Sequence, residues 1–214
     1  SYSVGDDVAF TISVTVPANI DTAKPIVVVD YLPNELAFDA ESLATESGTV
    51  AVITSSDSAY PTGDAEPVTS DSYTVYVFKV TGYSAEDLNI TDNAELTSAA
   101  AADTEITNQA YLVYSEFKST TEDDDPIKTF DFGLQKDFTD GQATYQATFE
   151  LSDDAGTINF IQDATGYVKA DSDDQGASAT ITAVHGTALN IRGLKAGTYT
   201  LTEKTTQAGY NPLA

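Results

Sequence analysis

Apolar residues at every second position recur along this chain of 214 residues, and that period of two constrains its fold most strongly. In residues 8–16, Val, Phe and Ile alternate with Ala, Ser and Thr. Alternate side chains of a strand share a face, so the pattern predicts a strand with one buried face. Residues 26–29 are continuously apolar, which is typical of a strand buried on both faces. Two more strands are predicted at residues 73–80 and 106–117, so we expect an all-β chain.

A solvated acidic run at residues 122–125, followed by Pro126, predicts a domain boundary. Beyond it the alternation resumes at residues 130–138. The charge balance also changes, because residues 1–125 carry 23 acids and three lysines, whereas residues 126–214 carry 11 acids and six bases. We therefore expect two tandem immunoglobulin-like β-sandwich domains, at 1–125 and 126–214. The alanine-rich residues 94–103 could form a short helix.

The composition excludes several classes of function. A net charge of −25 repels phosphates and anionic membranes, so we expect no nucleic-acid partner. No apolar run approaches the roughly 20 residues that span a bilayer, so we expect no membrane insertion. With no cysteine and one histidine, a disulfide or a zinc site has no support, and we expect no metal and no cofactor. The absence of methionine suggests a processed piece of a longer protein.

Two charged residues fall in rows that should face a core. Lys136 shares its row with Phe132, Leu134 and Phe138, and Glu203 alternates with Tyr199 and Leu201 in the predicted last strand. A buried charge is costly unless it is paired, hydrogen-bonded or neutralised. Either the strand ends fray and a bulge breaks the parity, or the two side chains form a buried reactive pair.

Three segments of the second half resemble a known domain. LQKD at 134–137, ATFEL at 147–151 and GLKAGTYTLTEKTTQAGY at 193–210 are similar to a collagen-adhesin B-type domain, whose YxLxExxxPxGY ending is followed except at Gln207. The resemblance implies a spontaneous intramolecular isopeptide bond, with Lys136 as nucleophile and Glu203 as catalytic acid. It places the asparagine acceptor on a later strand, which we expect to lie beyond Ala214. Asn211 is the candidate within the chain, although it directly follows Tyr210.

The first half, over residues 4–117, resembles the fimbrial isopeptide-forming domain of Gram-positive shaft pilins. The similar segments are VGDDVAFTI at 4–12, VVDYLP at 28–33 and ITNQA at 106–110. The resemblance implies Asp30 as catalytic acid and Asn108 as acceptor. It places the lysine upstream of Ser1, with Lys79 or Lys24 as weaker substitutes within the chain.

The rows agree with these two roles. Asp30 shares its row with Ile26 and Val28, and Asn108 shares its row with Ala110 and Leu112. Alternatively, Asp30 opens a turn before Leu32-Pro33, and Asn108 is a hydrogen-bonded core amide with no chemical role.

The two resemblances together imply a fragment of a structural subunit of an extracellular, cell-wall-anchored pilus. Its partners would be neighbouring pilin subunits joined by a sortase, and its chemistry a single-turnover self-cross-linking rather than enzymatic turnover. The alternative is a surface adhesin that binds a host protein or glycan, which an exposed apolar patch would favour. A hydrolase would need a cleft of converging titratable groups, which the sequence does not supply.

Overall fold

The structure is a computed structural model that describes residues 1–100 and 105–212. The chain divides into two compact units. Unit A comprises residues 7–95 and 106–127, and unit B comprises the described residues among 1–6, 96–105 and 128–214. No helix in the described part of the chain has the length and apolar character needed to cross a membrane.

Strands account for nearly all regular structure, and two short 3₁₀ helices lie at Gly63–Ala65 and Ser98–Ala100. The strands are β1 (Asp7–Val14), β2 (Ile26–Pro33), β3 (Leu36–Thr45), β4 (Thr49–Val52), β5 (Tyr73–Thr81), β6 (Leu88–Leu96), β7 (Glu105–Ile106), β8 (Gln109–Tyr114), β9 (Phe117–Lys118), β10 (Glu122–Asp123), β11 (Ile127–Lys128), β12 (Phe130–Gln135), β13 (Gln146–Asp153), β14 (Gly156–Thr157), β15 (Asn159–Gln162), β16 (Gly166–Ala170), β17 (Ile181–Val184), β18 (Ala188–Leu194) and β19 (Thr200–Thr205).

Unit A is a sandwich of two sheets. One sheet has the order β1-β6-β3, and the other has the order β10-β8-β2-β5-β4, with β9 also paired to β8. Val28, Phe78 and Ile90 belong to the apolar cluster between the sheets. A second cluster includes Val29 and Val77 on the outer face of β2 and β5. Because β2 carries apolar side chains on both faces, the prediction of a doubly buried strand is confirmed.

Unit B is also built from two sheets. One has the order β12-β18-β16-β15, and in the other β13 pairs with β14, β17 and β19. The core contains Phe149, Leu151, Phe160, Ile181 and Ile191, each almost fully buried. The prediction of an all-β chain made of two sandwiches is therefore confirmed.

The compact units differ from the predicted division at residues 1–6, 96–100 and 105, which lie in unit B, and at residues 126–127, which lie in unit A. Val4 explains the first difference, because it packs against Val168 and its N–H donates to the carbonyl of Gly193 at 2.9 Å. These contacts join residues far apart in sequence, so alternation within strands does not indicate them.

Two predicted elements have different bounds. The predicted strand over 106–117 is interrupted at Asn108, whose carbonyl accepts a hydrogen bond from the N–H of Asp124 at 2.9 Å. The short helix considered for 94–103 is replaced by the end of β6 and the 3₁₀ helix Ser98–Ala100, while residues 101–103 lie outside the described residues.

Gly166 provides a test of the packing of unit B. It begins β16 with φ of 149°, and a Cβ atom there would clash with the backbone of Asn190 on β18. Gly156 has φ of 130° but open space around the same position. We expect Gly166→Ala to destabilise unit B by about 3 kcal/mol and Gly156→Ala by clearly less, since only the first adds a backbone clash to the strain. Chemical denaturation of both variants measures the difference, and equal losses would contradict this packing.

Candidate functional site

Unit B brings Lys136 and Glu203 together inside its sandwich. Lys136 follows directly after β12 and forms an isolated parallel bridge with His185. Glu203 lies on β19, where it is the register partner of Phe149 on β13. The Nζ atom of Lys136 donates to Oε2 of Glu203 at 3.0 Å. The two side chains are 12% and 1% exposed, so they form a buried ion pair rather than a pair of frayed strand ends.

The bulge considered from the sequence exists but does not disturb the lysine. The register between β12 and β18 shifts between Phe130 and Phe132, and Phe130 is 37% exposed. From Phe132 onward the row stays inward and ends at Phe138, which is buried. The ammonium of Lys136 lies 5.2 Å from the ring centroid of Phe138, within the range of a cation–π contact.

The proton shared between Lys136 and Glu203 can lie on either side chain, so the pair can exist as two ions or as two neutral groups. As ions they attract strongly in a medium of low dielectric constant, but both have lost their hydration. Transfer of one proton along the 3.0 Å hydrogen bond produces a neutral amine and a neutral carboxylic acid. The neutral amine is a nucleophile, and the acid can polarise a carbonyl group or protonate a leaving group.

Unit A brings Asp30 and Asn108 together in the same way. Asp30 lies on β2 and Asn108 lies in the break between β7 and β8. The Nδ2 group of Asn108 donates to Oδ1 of Asp30 at 2.8 Å. Both side chains are buried, so Asp30 does not open an exposed turn. The Oδ1 atom of Asn108 is buried and accepts no hydrogen bond from the described residues, which leaves the carbonyl group available to a further donor.

The electrostatics around Asp30 favour a protonated carboxyl. Burial raises the pKa of Asp30 to about 7, since desolvation disfavours the charged form. The hydrogen bond from Asn108 lowers the pKa, and the negative charges of Asp92 and Asp124 raise it further. Near neutral pH this carboxyl can therefore hold a proton beside the amide of Asn108.

The three lysines of unit A lie away from this carboxyl. Lys79 forms an ion pair with Asp57, and its neighbours Val77 and Val27 belong to the cluster on the outer face. It is therefore not a substitute nucleophile, because the row that it shares with Val77 faces away from Asp30. Lys24 contacts Ser115, and Lys118 lies over the ring of Tyr111.

A groove leads from the surface of unit A to Asn108. It is lined on one side by residues 10–14 of β1, which is an edge strand of its sheet, and on the other by Asn108, Ala110 and Leu112. Glu122, Asp123 and Asp124 line it as well. The groove therefore combines a free strand edge, apolar side chains and negative charge.

Asn211 is not brought into either buried site. Asn211 is exposed, and within the described part of the chain no hydrogen bond joins it to Lys136 or Glu203. The side chain of the preceding Tyr210 packs against Phe138 and donates to the carbonyl of Thr139. No group of three or more His, Asp or Glu side chains in the described part of the chain could hold a metal ion.

Sequence reasoning missed Asp92, which is 4% exposed and lies beside the same site. The signal was present, since Asp92 interrupts a row formed by Leu88, Ile90, Ala94 and Leu96 on β6. Burial raises the pKa of Asp92 to about 6.

Removal of one partner of the ion pair tests its burial. We expect Lys136→Met to destabilise unit B by about 3 kcal/mol near neutral pH, because Glu203 would remain buried without its cation. The double variant Lys136→Met/Glu203→Met should recover most of that loss. Lys204→Met is the control, since Lys204 pairs with Glu150 at the surface and the loss should stay below about 1 kcal/mol. Chemical denaturation distinguishes these results, and a double variant no more stable than the single one would contradict them.

The pKa of Asp30 predicts how the stability of unit A depends on pH. A folded-state pKa of about 7, above the ordinary 3.8, means that the stability from this group is complete below 3.8 and is lost as pH rises to about 7. We expect Asp30→Asn to exceed the wild type in stability by on the order of 3 kcal/mol at about pH 8, and to match it near pH 4. Asp7→Asn, on the exposed face of β1, is the control. Thermal unfolding across this pH range measures the effect. A stability difference between Asp30→Asn and the wild type that does not change with pH would contradict the raised pKa of Asp30.

No protein-family model and no curated protein sequence matches the chain. Solved structures do match it. The pilus 2b backbone protein of group B streptococcus is 20% identical with a TM-score of 0.65, and the match covers 100% of this chain and 84% of that one. The Corynebacterium diphtheriae major pilin SpaA is 18% identical with a TM-score of 0.63, over 100% of this chain and 59% of SpaA.

The pilus backbone protein RrgB of Streptococcus pneumoniae is 14% identical with a TM-score of 0.59, and the match covers 100% of this chain and 86% of RrgB. At this level of identity the likeness concerns the fold. It extends across both units, because each match covers the whole chain. The chain therefore has a fold similar to that of Gram-positive pilus backbone proteins.

Proposed function

We propose that the chain is part of a structural subunit of a covalently polymerised cell-surface pilus, and that self-formed isopeptide bonds stabilise its two units. The buried contact of Lys136 with Glu203 carries this proposal, because an apolar core retains a lysine and an acid only at a cost. The likeness to pilus backbone proteins supports it. One of these, SpaA, is described as having a modular pilus assembly with stabilising isopeptide bonds.

In unit B, Lys136 is the nucleophile and Glu203 the acid. Proton transfer to Glu203 frees the amine, which forms a bond to the side-chain carbonyl carbon of an asparagine. The bond from that carbon to the amide nitrogen breaks, and the nitrogen leaves as ammonia with a proton from Glu203. One of the two protons on the attacking nitrogen then moves to the carboxylate, and the other stays on the nitrogen of the new amide.

The edges of the unit B sheets indicate where the asparagine would enter. Both β12 and β19 are edge strands, and they flank the ion pair. Leu201 is 38% exposed on β19, although its register partner Leu151 is buried. An added strand would cover Leu201 and Phe130 and bring its asparagine to Lys136.

In unit A, Asn108 is the acceptor, Asp30 is the acid, and the lysine comes from an extended segment. The groove beside β1 suits such a segment, since the edge of β1 offers backbone hydrogen bonds and residues 122–124 attract a cation. The sequence resemblance places this segment upstream of Ser1. The ammonium would reach Asn108 through the acidic side of the groove.

The consequence of the two bonds is mechanical. A covalent link between the first and last strands of a sandwich prevents their separation under tension along the pilus. By analogy with other cross-links, each would stabilise its unit by about 3–5 kcal/mol, and it would slow unfolding further. The reaction is a single event without turnover, so the chain is not an enzyme. Neighbouring subunits joined by a sortase are its proposed partners, and a cell-wall-anchored extracellular pilus its proposed location.

The adhesin alternative depends on an apolar surface patch. Among the described residues, the most exposed large apolar side chains are spread over separate elements, and two of them lie at the edges proposed for strand addition. The apolar outer face of β2 and β5 is packed against Tyr60 and Ala65 of the loop that follows β4. No observation therefore favours a host-ligand surface over a load-bearing role.

The mass of a longer chain tests the proposal. Each isopeptide bond removes one ammonia, so a precursor that includes both missing strands should weigh two ammonia molecules less than its sequence. Lys136→Ala, Glu203→Ala and Asn108→Ala should each prevent one bond, so each variant should keep the mass of one of the two ammonia molecules. Lys204 is a surface lysine on the same strand as Glu203, and Lys204→Ala should still show the full deficit of two ammonia molecules.

Intact-mass spectrometry measures the mass deficit of each variant directly. The 214-residue chain alone should show its full sequence mass, because each site lacks one partner. A wild-type precursor without any deficit would contradict the proposed function.

A further inference from the structure

Unit A contains one buried acid more than the proposed reaction assigns. Its buried polar side chains are Asp30, Asp92 and Asn108. Asp92 points inward from β6, between Ile90 and Ala94 in the same row. A second buried carboxyl destabilises the fold, because burial favours its uncharged form. Its retention at this place calls for a chemical reason.

The strand rows place Asp92 opposite Asp30. Val28 and Ile90 belong to one apolar cluster between the sheets, and each is followed two residues later by an aspartate. Phe10, the register partner of Asp92, lines the same groove as Asn108, which is hydrogen-bonded to Asp30. Asp30 and Asp92 therefore lie at one level of the sandwich, on facing sheets. The effect of the charge of Asp92 on the pKa of Asp30 agrees with this proximity.

Asp92 lies one strand in from the groove. Its register partner is Phe10 on β1, and Phe10 lines the groove together with Asn108. A segment paired with the free edge of β1 would lie on the opposite side of β1 from β6. The long side chain of an inward-facing lysine on that segment would extend past Phe10, toward the amide of Asn108 and the carboxyl of Asp92.

The two units differ in which reactant their acid contacts. In unit B, Glu203 contacts the lysine. In unit A, Asp30 contacts the acceptor amide and has no lysine. A lysine that enters unit A arrives as an ammonium ion, and it must lose a proton before it can attack. Asp30 cannot accept that proton while it already holds one for the amide.

We propose that Asp92 is a second catalytic carboxylate in unit A, which accepts the proton of the incoming lysine ammonium while Asp30 serves the amide of Asn108. This inference rests on the proposed function. The amine nitrogen forms a bond to Cγ of Asn108, and the bond from Cγ to Nδ2 breaks. Asp30 protonates the leaving nitrogen and then takes one of the two protons on the attacking nitrogen, and the other stays on the new amide. Asp92 ends protonated, ammonia leaves, and the total charge is unchanged.

The rate of ammonia loss from the precursor tests this role. The precursor, including the lysine segment, is made in a cell-free pulse and followed by intact mass. We expect Asp92→Asn to slow formation of the unit A bond by about 100-fold or more, since a general base contributes at least that factor. Asp92→Glu should restore the rate to within about tenfold, and Asp7→Asn, an exposed acid on β1, should leave it unchanged.

Thermal unfolding of the 214-residue chain separates catalysis from structural support. A catalytic Asp92 costs stability, so Asp92→Asn should unfold at the same temperature as the wild type or higher. A slow Asp92→Asn variant with a lower unfolding temperature would overturn the inference, as would an unchanged rate. An Asp30→Asn precursor that also forms no bond in unit A supports the division of roles. A wild-type precursor with no unit A deficit would overturn the proposed function itself, and the role of Asp92 with it.

Discussion

The burial of charge between β-sheets is the constraint on which both units depend. The ion pair of Lys136 and Glu203 is held at 3.0 Å in a core of aromatic and aliphatic side chains. Such a pair gains little stability over apolar residues of the same size, yet it becomes strongly destabilising when one partner is lost. We therefore propose that the pair is retained for its reactivity. Proton transfer within the pair would turn a costly pair of ions into a nucleophile and an acid.

Unit A also buries a carboxyl between its sheets, but it pairs this carboxyl with an amide rather than with a lysine. Asp30 accepts a hydrogen bond from the amide of Asn108, the lysines of the unit lie elsewhere, and a groove beside a free strand edge leads to Asn108. Under the proposed function, the two units hold complementary halves of one reaction, with Lys136 as the nucleophile in unit B and Asn108 as the acceptor in unit A. In both, the missing half would arrive on a strand that completes a sheet. Completion of the fold and formation of the covalent bond would then be a single event, since the added strand carries the reactant.

Alternation along single strands predicted much of this arrangement. It indicated correctly that Glu203, Asp30 and Asn108 are buried and that the side chain of Lys136 points inward, because side-chain direction in a strand follows from sequence position alone. It did not indicate the break at Asn108, where the chain passes from β7, which pairs with β11, to β8, which pairs with β2 and β10. Alternation also did not decide whether Lys79 could replace the missing lysine of unit A. Strand β5 is apolar on both faces, and only the packing of the outer cluster identifies which row faces Asp30.

Other features depend on contacts between distant residues. The assignment of residues 1–6 to unit B rests on Val4 against Val168, and the exposure of Leu201 follows from its position on an edge strand. Asp92 could have been found from its row on β6. The role proposed for Asp92 depends on its proximity to Asp30, which belongs to the facing sheet.

Peptide mapping of the precursor by tandem mass spectrometry tests the central claim most directly. After digestion, Lys136 should be recovered in a branched peptide whose second arm contains an asparagine from a strand downstream of Tyr210. Asn108 should be recovered in another branched peptide, joined to a lysine from upstream of Ser1. Recovery of Lys136 and Asn108 only in linear, unmodified peptides would contradict the claim that the buried groups exist to form covalent cross-links.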